Sequence, residues 1–410
     1  TDDDNYKITI QYANTTQISG GASESGGKAG SEIVDNVTIE APNIYAGVGL
    51  ANNIVSKSFS MSHAKLIVFS KEIAEKGVKD MIETLVRSEE IRPDVFIAVA
   101  NTTANDYLTS VNPEMEVNPA QYYQLIYQKN QLVGIPDGQL REFFTGLYTD
   151  NYDSILPVAG VIEGAGGNSQ NDDKGQSKDG QNEGSEGSSE SLDSFESKSS
   201  DDKDENEKEK DAEKNTSKYE YDIKNYVGGE TAIEKKNKAE AIGAAVFEKD
   251  KMVGELGEVE TEICKILKGD YTYSYLTYYN NDTPDIPITV KTTQQKKPKY
   301  KIDTDKKTVD IELYIESDLY SLPADYNVEN KIEDFERDVA NYTSSTCTKF
   351  INNFTKKYNS DILKLNEKVK YKFLTNNQYN WFKKNVGWSE YKFSVCTNFK
   401  VRRTGLIVRE

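Results

Sequence analysis

The sequence contains few of the residues on which metal and nucleophile chemistry depends. Among 410 residues there is one histidine, His63, and there are three cysteines, Cys264, Cys347 and Cys396, which lie far apart. A histidine-rich metal site, a zinc ribbon and a CxxC redox motif are therefore excluded. The odd number of cysteines also argues against a disulfide scaffold, and we expect the three thiols to be buried as small hydrophobic groups.

Long apolar runs and an excess of positive charge are absent as well. The mean hydropathy is −0.71, and no window approaches the ~18 uninterrupted apolar residues of a membrane span. Lys and Arg total 50 against 68 Asp and Glu, a net charge of −18, which argues against nucleic-acid binding because phosphate neutralisation needs a basic surface. Thr1–Asn5 has neither the basic nor the apolar part of a signal peptide. The chain is then either cytoplasmic or a processed or trimmed form.

Motifs of the common enzyme classes are missing too. No G-x-S-x-G elbow is present, and a catalytic triad would have to use His63, for which we expect a structural role ahead of the next strand. Ala22–Ala29 resembles a phosphate-binding loop, but Ala29 stands where a Mg²⁺-binding Ser or Thr is needed, and a strand follows instead of a helix. The sequence therefore predicts that the protein is not an enzyme, with no catalytic, cofactor-binding or metal-binding residues and no cofactor.

The composition changes sharply in the middle of the chain. Residues 164–218 carry 16 acidic and 8 basic residues, a net charge of 8 − 16 = −8, and almost no large apolar side chains. Such a segment cannot bury enough apolar surface to offset the entropy of ordering it. We therefore expect an N-terminal mixed α/β region of one or two subdomains at 1–162, a disordered acidic linker at 163–235, and a C-terminal α+β domain at 236–410. The predicted fold class is α+β or mixed α/β, multi-domain, with mixed β-sheets packed with helices.

Before the linker, a βαβ unit is expected at about 65–100. Lys65–Phe69 and Val95–Ala100 are continuous apolar runs, typical of strands buried on both faces. A helix between them, capped by Ser70 and broken at Gly77, makes the crossover of two parallel strands. The other predicted elements are a hairpin, three helices and a strand: Tyr6–Tyr12 with Ile33–Ile39; Asn43–Ile54, Pro119–Leu132 and Gln139–Tyr148; and Ile155–Val161.

After the linker, a long amphipathic helix dominates the pattern. Apolar residues from Val328 to Tyr358 recur every three or four positions, which predicts a helix of about 31 residues with its apolar stripe packed on a sheet. A shorter helix reaches Leu267 and is stopped by Gly269. The predicted strands are a hairpin and four further segments: Ala241–Phe247 with Met252–Leu256, then Ile286–Val290, Tyr300–Ile302, Val309–Ile315 and Phe393–Val401.

Five stretches, in order along the chain, are similar to motifs of a single family. They are Tyr6–Asn14, Ser62–Gly77, Arg87–Pro93, Gly243–Leu256 with Glu260, and Trp388 with Thr404 and Gly405. The second reads SHAKLIVFSKEIAEKG and the fourth GAAVFEKDKMVGEL. On these stretches the chain resembles the C-subunit lipoprotein of spore-germination nutrient receptors, the Ger(x)C family, over nearly its whole length except the acidic insertion.

The resemblance implies a non-enzymatic subunit of a germinant receptor with a three-domain mixed α/β fold. A lipidated N-terminal cysteine would hold it on the outer face of the spore inner membrane, in contact with integral-membrane receptor subunits of A and B type. The buried acyl chains would supply the membrane affinity that this sequence lacks. The lipid-bearing cysteine and the strand that usually precedes Tyr6 are absent, so we expect a trimmed soluble form.

Two other interpretations stay open. One is an extracytoplasmic solute-binding protein that captures a small molecule in an interdomain cleft. The other is an acidic glycosidase-like enzyme, which needs two facing carboxylates about 5–10 Å apart. The family motifs themselves look structural, with Gly254 and Gly405 expected in turns. The exposed corner Glu89–Arg92 is a candidate partner-binding surface, but no partner-binding residue is assigned.

Overall fold

A computed structural model describes thirteen ranges of the chain. They are residues 5–13, 34–55, 58–112, 116, 119–128, 134–149, 151–162, 219–221, 225–231, 237–280, 283–321, 331–358 and 360–404. The predicted loop Ala22–Ala29, the predicted helix start at Val328, Gly405 and most of the predicted linker 163–235 lie outside these ranges.

The described ranges contain both strands and helices. The strands are β1 (Tyr6–Ala13), β2 (Val34–Ala41), β3 (Leu66–Ser70), β4 (Phe96–Ala100), β5 (Ile155–Val161), β6 (Tyr219–Tyr221), β7 (Ala239–Glu248), β8 (Lys251–Leu256), β9 (Tyr273–Asn280), β10 (Thr283–Thr293), β11 (Lys299–Asp303), β12 (Thr308–Ser321) and β13 (Lys392–Arg403). The helices are α1 (Ile44–Ala51), α2 (Lys71–Lys76), α3 (Lys79–Val86), α4 (Ala104–Ser110), α5 (Pro119–Gln128), α6 (Leu140–Thr149), α7 (Glu258–Lys268), α8 (Ile332–Lys357), α9 (Leu365–Val369) and α10 (Asn376–Asn385). Three short 3₁₀ helices are Met61–His63, Lys370–Lys372 and Trp388–Glu390.

Five strands form sheet A in the order β3–β4–β5–β7–β8. β3, β4 and β5 are parallel, since helices connect them, and β7 and β8 form an antiparallel hairpin. The predicted βαβ unit and the predicted hairpin are both confirmed. All five residues of Phe96–Ala100 are buried, as a continuous apolar run predicts for a strand covered on both faces.

The crossover of the βαβ unit consists of two short helices, α2 and α3. Gly77 separates them at φ +121°, and a Cβ there would lie 2.6 Å from Oδ2 of Asp250, so the position needs glycine. The N–H of Val78 donates to the carbonyl of Asp250 at 2.9 Å, which fixes the break to the β7–β8 hairpin. Ser70 occupies the N-cap position of α2, but its side chain makes no capping hydrogen bond, contrary to the prediction.

Sheet A crosses the predicted boundary between the N-terminal and C-terminal regions. β5 pairs antiparallel with β7, so strands from both sides of residues 163–235 form one sheet. Without β7, the inner edge of β5 would present unpaired main-chain groups in the core. The β7–β8 hairpin therefore belongs structurally to the sheet that begins with β3, and the division at 163–235 does not separate two sheets.

Six further strands, β6 and β9 to β13, form sheet B around β12. One edge of β12 pairs in parallel with β13. The other edge pairs with β11 along the first part of β12 and with β10 along its last part. β9 and β6 extend the sheet beyond β10. Val309, Ile311, Leu313 and Ile315 are buried, which confirms the alternation predicted for this strand.

Helix α8 packs its apolar stripe on sheet B. Phe335, Val339 and Phe354 of the predicted stripe are buried, and Cys347 and Ile351 join them. These side chains share one apolar cluster with the inward residues of β12 and β13. The predicted packing of the long helix on a sheet is therefore confirmed.

A second row of α8 is polar and covers the free edge of β13. Among the described strands β13 pairs only with β12, so every other N–H of β13 points away from the sheet. Four helix side chains accept these N–H groups: Glu336 from Val401 at 2.8 Å, Ser344 from Thr397 at 2.9 Å, Thr348 from Val395 at 3.0 Å and Asn352 from Phe393 at 3.1 Å. The edge is thereby closed to pairing with another chain.

Helix α7 lies between the two sheets and joins their cores. It ends at Gly269 in the left-handed conformation, at φ +81°, as predicted. Cys264 and Leu267 are fully buried and belong to the same apolar cluster as Val246 of sheet A and Val309 of sheet B.

Gly254 lies inside strand β8 and not in the expected turn. It faces Tyr358, which follows the last residue of α8, and a Cβ at position 254 would collide with the tyrosine ring. The glycine is therefore needed for the close approach of an aromatic ring to the strand.

The β1–β2 hairpin forms a separate two-stranded antiparallel sheet, as predicted. Gln11 anchors it: its Nε2 donates to the carbonyl of Leu108 at 2.7 Å, and its Oε1 accepts from the hydroxyl of Tyr123 at 2.6 Å. These bonds hold the hairpin against α4 and α5.

Candidate functional site

His63 lies at the end of a 3₁₀ helix and its side chain is exposed. The helix is held by Ser60, whose hydroxyl accepts the N–H of Ser62 at 3.3 Å, and by Glu90, whose Oε2 accepts the N–H of Met61 at 3.0 Å. The segment thus leads into β3 as expected. No nucleophile–histidine pair occurs at this position among the hydrogen bonds of the described residues.

The corner Glu89–Arg92 is partly used by the fold. Glu90 caps the 3₁₀ helix just described, and Ile91 is buried. The carbonyl of Arg92 accepts the N–H of Val95 at 3.1 Å. Glu89 and the side chain of Arg92 remain exposed, so the corner stays a predicted partner surface of small extent.

Two of the three cysteines are buried and one is exposed. Burial raises the pKa of Cys264 far above its usual value and that of Cys347 to about 12, which makes both thiols unreactive. Cys396 is exposed because it occupies an outward position of β13, between buried Val395 and Thr397, so the expectation of three buried thiols is wrong for this one. No group of three or more His, Cys, Asp or Glu side chains in the described ranges is arranged to hold a metal ion.

Two aspartates, the half-buried Asp153 and the buried Asp361, bind main-chain amides. Oδ1 and Oδ2 of Asp153 accept the N–H groups of Lys249 at 2.9 Å and of Asp361 at 2.8 Å. The carboxylate of Asp361 accepts those of Leu365 and Asn366, both at 2.8 Å. Burial raises the pKa of both groups, to about 7 for Asp361, while the amide donors act in the opposite direction. All four oxygens are thus occupied in joining chain segments, and this pair is not the cleft-facing pair of a glycosidase.

Helix α7 carries two further buried ionisable groups. Burial raises the pKa of Glu262 to about 8, with a smaller contribution from the nearby carboxylate of Glu258. Within the described part of the chain, Oε1 of Glu262 has no hydrogen-bond partner. Nζ of Lys265 donates to the carbonyl of Ile135 at 3.1 Å, and burial lowers the pKa of this lysine to about 8. Both groups lie on the helix between the sheets, and neither is among the lining residues of the two clefts described next.

Two clefts stand out on the surface of the described residues. The larger is a shallow groove of about 470 Å³, and its lining comprises Glu367, Lys370, Tyr371, Phe373, Thr375, Asn376 and Tyr379. The smaller, about 70 Å³, lies beside β12 and β13, and its lining comprises Gln295, Lys296, Tyr314, Ile315, Glu316, Asn398, Lys400 and Arg402. Neither resembles the enclosed apolar pocket that usually holds a small molecule.

The larger groove borders a group of exposed aromatic, aliphatic and lysine side chains. We call it the aromatic–lysine surface, and its members are Lys370, Tyr371, Leu374, Trp381 and Lys384. Leu374 is 95% exposed, Tyr371 80% and Trp381 64%. Residues 364–384 hold six lysines and one acidic residue, a net charge of 6 − 1 = +5 in a chain of −18. The surface therefore combines exposed apolar side chains with two exposed lysines, in a basic stretch of an acidic protein.

The inward side of α10 fixes this surface to the rest of the fold. Tyr379 and Phe382 are buried, and the ring of Phe373 packs against both, at centroid distances of 5.9 and 4.9 Å. The hydroxyl of Tyr379 donates to Oδ1 of Asn151 at 3.0 Å. The helix is thereby held against the loop between α6 and β5.

The outward side of α10 carries the exposed residues. Asn377, Trp381 and Lys384 recur at spacings of four and three, which places them on the face opposite the buried tyrosine and phenylalanine. Leu374 directly precedes Thr375, the N-cap, whose hydroxyl accepts the N–H of Gln378 at 3.3 Å. An apolar residue at this position usually packs on the first turns of its helix, whereas Leu374 is turned to solvent.

Neither the aspartate pair nor the aromatic–lysine surface was among the sequence predictions. Asp153 and Asp361 are 208 positions apart, and no local pattern links them. The surface had a usable signal, because aromatic residues and lysines lie next to each other in KYKFL at 370–374 and WFKK at 381–384. In the described ranges no helix is both long enough and apolar enough to cross a membrane.

Comparison with known proteins places both parts of the chain in one family. Residues 1–161 match the family model described as spore germination protein N-terminal domain. Residues 242–405 match the one described as spore germination B3/GerAC like, C-terminal. A relative, the spore germination protein GerQC of Bacillus cereus, is 27% identical over 104 residues, which is 25% of this chain and 29% of that protein. The match thus spans less than a third of the relative's length.

A solved structure has the same fold over almost the whole chain. The crystal structure of the GerBC protein superposes with a TM-score of 0.52 and 13% identity, over 97% of this chain and 94% of that chain. The mixed α+β fold class predicted from the sequence is confirmed. With both family models matched in order, the chain belongs to the Ger(x)C family of germinant-receptor subunits.

Proposed function

We propose that the protein is a non-enzymatic, lipid-anchored subunit of a spore germinant receptor, which acts through contacts with integral-membrane subunits of A and B type. The observation that carries this proposal is the ordered match of the two family models to residues 1–161 and 242–405. The proposed place is the outer face of the spore inner membrane, held by a lipidated N-terminal cysteine, and this rests on the family resemblance.

The use of the buried ionisable groups supports a non-enzymatic role. Active sites collect such groups in a cleft, with their polar atoms free to meet a substrate. Here the oxygens of Asp153 and Asp361 accept main-chain N–H groups, and Lys265 donates to a main-chain carbonyl. These side chains hold segments of the fold together, which suits a protein that works through its surface.

Deletion of the gene tests the proposal. Spores of the deletion strain should lose their response to particular nutrients and regain it when the complete coding sequence is restored. A restored gene whose N-terminal lipid-acceptor cysteine is replaced by alanine should fail to place the protein in the inner-membrane fraction. Unchanged germination in a strain that lacks this gene and all its homologues would contradict the proposed role.

Calorimetry separates the proposal from that of a solute-binding protein. The isolated chain is titrated with amino acids, sugars, nucleosides and salts. The receptor-contact role predicts no tight complex, because both described clefts are open. Micromolar binding by the isolated chain would favour the solute-binding interpretation instead.

A further inference from the structure

We propose that the aromatic–lysine surface binds directly to a bilayer that contains anionic phospholipid. Tyr371, Leu374 and Trp381 enter the interfacial region, and Lys370 and Lys384 meet the headgroup phosphates. The contact is made by the folded chain and depends neither on the receptor role nor on an acyl anchor, so its test is independent of both.

Three large apolar side chains, Tyr371, Leu374 and Trp381, are exposed on this surface. Leu374, at 95%, and Tyr371, at 80%, are the two most exposed of the large apolar side chains in the described ranges. Tyr and Trp favour membrane–water interfaces because their rings are apolar and their polar atoms stay in contact with water. Transfer of one such side chain out of water strengthens binding about tenfold or more.

The stretch of chain that carries this surface has a positive net charge. Residues 364–384 carry +5 while the whole chain carries −18. An anionic bilayer repels the acidic remainder and attracts this stretch, so electrostatics favours approach with this surface forward. Lys370 and Lys384 are exposed and supply the charge of the contact. The other four lysines of the stretch contribute less, because Lys364 pairs with Glu142 and the Nζ atoms of Lys368, Lys372 and Lys383 donate to main-chain carbonyls.

The acidic segment 164–218 is the rival occupant, since its charge of −8 also complements the lysines. It has almost no large apolar residue besides Leu192 and Phe195, and so offers little to cover three exposed apolar side chains. A bilayer matches both properties, because its headgroups are anionic and its interior is apolar. The observations therefore favour lipid.

Tryptophan fluorescence gives a direct readout, because the chain has two tryptophans in opposite environments. Trp381 is 64% exposed and Trp388 is 7% exposed. In a Trp388→Phe variant the emission comes from Trp381 alone. Equimolar phosphatidylcholine–phosphatidylglycerol vesicles should shift it to shorter wavelength and shield it from acrylamide, and phosphatidylcholine vesicles should do so much less.

Vesicle co-sedimentation of the full chain locates the contact. Leu374→Ser combined with Trp381→Ser should weaken binding to the mixed vesicles at least about tenfold. Lys370→Gln combined with Lys384→Gln should remove the preference for anionic vesicles and most of the salt dependence. Two matched control pairs replace exposed residues elsewhere, Ile54→Ser with Tyr320→Ser, and Lys297→Gln with Lys306→Gln, and should bind like the unaltered chain.

Three results would overturn the assignment. They are absence of binding to the mixed vesicles, binding that both surface variants retain in full, and an equal loss in the control pairs. A fourth is shielding of Trp381 in the vesicle-free chain that disappears when residues 166–217 are deleted, since the acidic segment would then be the occupant. Circular dichroism of each variant establishes that a loss of binding is not a loss of fold.

Discussion

The main-chain N–H of Asp361 donates to Oδ2 of Asp153 at 2.8 Å, although the two residues are 208 positions apart. The N–H of Asp153 in turn donates to the carbonyl of Asp361 at 3.1 Å. The two carboxylates extend this contact to the β7–β8 hairpin through Lys249 and to the start of α9 through Leu365. The pair thus joins three segments that come from both sides of the acidic insertion.

Asp361→Ala should destabilise the fold. The substitution leaves the N–H groups of Leu365 and Asn366 without their acceptor, and Leu365 is buried. An unpaired buried donor costs about 1–3 kcal/mol, so we expect the free energy of unfolding to fall by about 2–4 kcal/mol. Urea denaturation followed by circular dichroism measures it.

Asp303→Ala is the matched control, because Oδ1 of Asp303 also accepts two main-chain N–H groups, from Asp305 and Lys306. That turn is exposed, so water can replace the carboxylate. The control should therefore cost much less than Asp361→Ala. Equal losses in the two variants would contradict the structural role assigned to the pair of Asp153 and Asp361.

The sequence was informative where a buried element leaves a local pattern. The continuous apolar run of β4 and the alternation in β12 identify these strands, because the side-chain period of a strand is two. The pairing of β5 with β7 and the contact of Asp153 with Asp361 join residues far apart. No periodicity encodes them, so the sequence pattern placed a domain boundary where the structure has a continuous sheet.

Glu262→Gln should change how stability depends on pH. Burial raises the pKa of Glu262 to about 8 from a usual value of 4.5. Between these pH values the folded protein holds a proton that the unfolded chain releases, so the free energy of unfolding falls as the pH rises. A pKa that differs by one between the two states corresponds to about 1.4 kcal/mol, so the loss of stability from this site amounts to a few kcal/mol over that range. Glutamine does not titrate and should remove this pH dependence.

The measurement is urea denaturation of both proteins from pH 5 to pH 8. The variant should gain stability relative to the unaltered protein as the pH rises, because ionisation of Glu262 favours the unfolded chain and glutamine cannot ionise. The same series on Glu333→Gln, at an exposed position of α8, shows the effect of removing a surface charge. A constant difference between Glu262→Gln and the unaltered protein would contradict the raised pKa.

Thr348→Val should weaken the contact between α8 and the edge of β13. The hydroxyl of Thr348 accepts the N–H of Val395 at 3.0 Å, and valine keeps the shape but not the acceptor. We expect a loss of about 1–3 kcal/mol and some self-association, because a free edge N–H can pair with another chain. Urea denaturation and analytical ultracentrifugation measure the two effects.

Thr355→Val is the control for the loss of a buried hydroxyl. The hydroxyl of Thr355 donates to the carbonyl of Ile351 within the same helix, at 2.9 Å, and leaves no strand N–H unpaired when removed. It should cost less and cause no association. Thr348→Ser, which restores the acceptor, should recover most of the stability; failure of this rescue would count against the edge-covering role.

The polar row of α8 shows why side-chain function within an element was harder to predict than the element itself. The apolar stripe predicts that the helix packs on a sheet, but Ser344, Thr348 and Asn352 have the same composition as an ordinary solvated face. Their role follows only from the position of β13, whose contacting residues come 41 to 53 positions later in the chain. The aromatic–lysine surface was hard to predict for the same reason. That Leu374 is exposed becomes clear only from the structure, in which α10 packs through Tyr379 and Phe382.

Cleavage of the chain within the acidic insertion should leave the two fragments together. A site-specific protease sequence placed between residues 166 and 217 cuts the covalent link, but β5 still pairs with β7, and Asp153 still binds Lys249 and Asp361. The cleaved protein should elute from a size-exclusion column as one species and separate only in denaturant. Separation in native buffer would contradict the continuous sheet and restore the predicted division of the chain at 163–235. The strand pairing favours association, because the fragment that ends after β5 would otherwise expose the buried edge of sheet A to water.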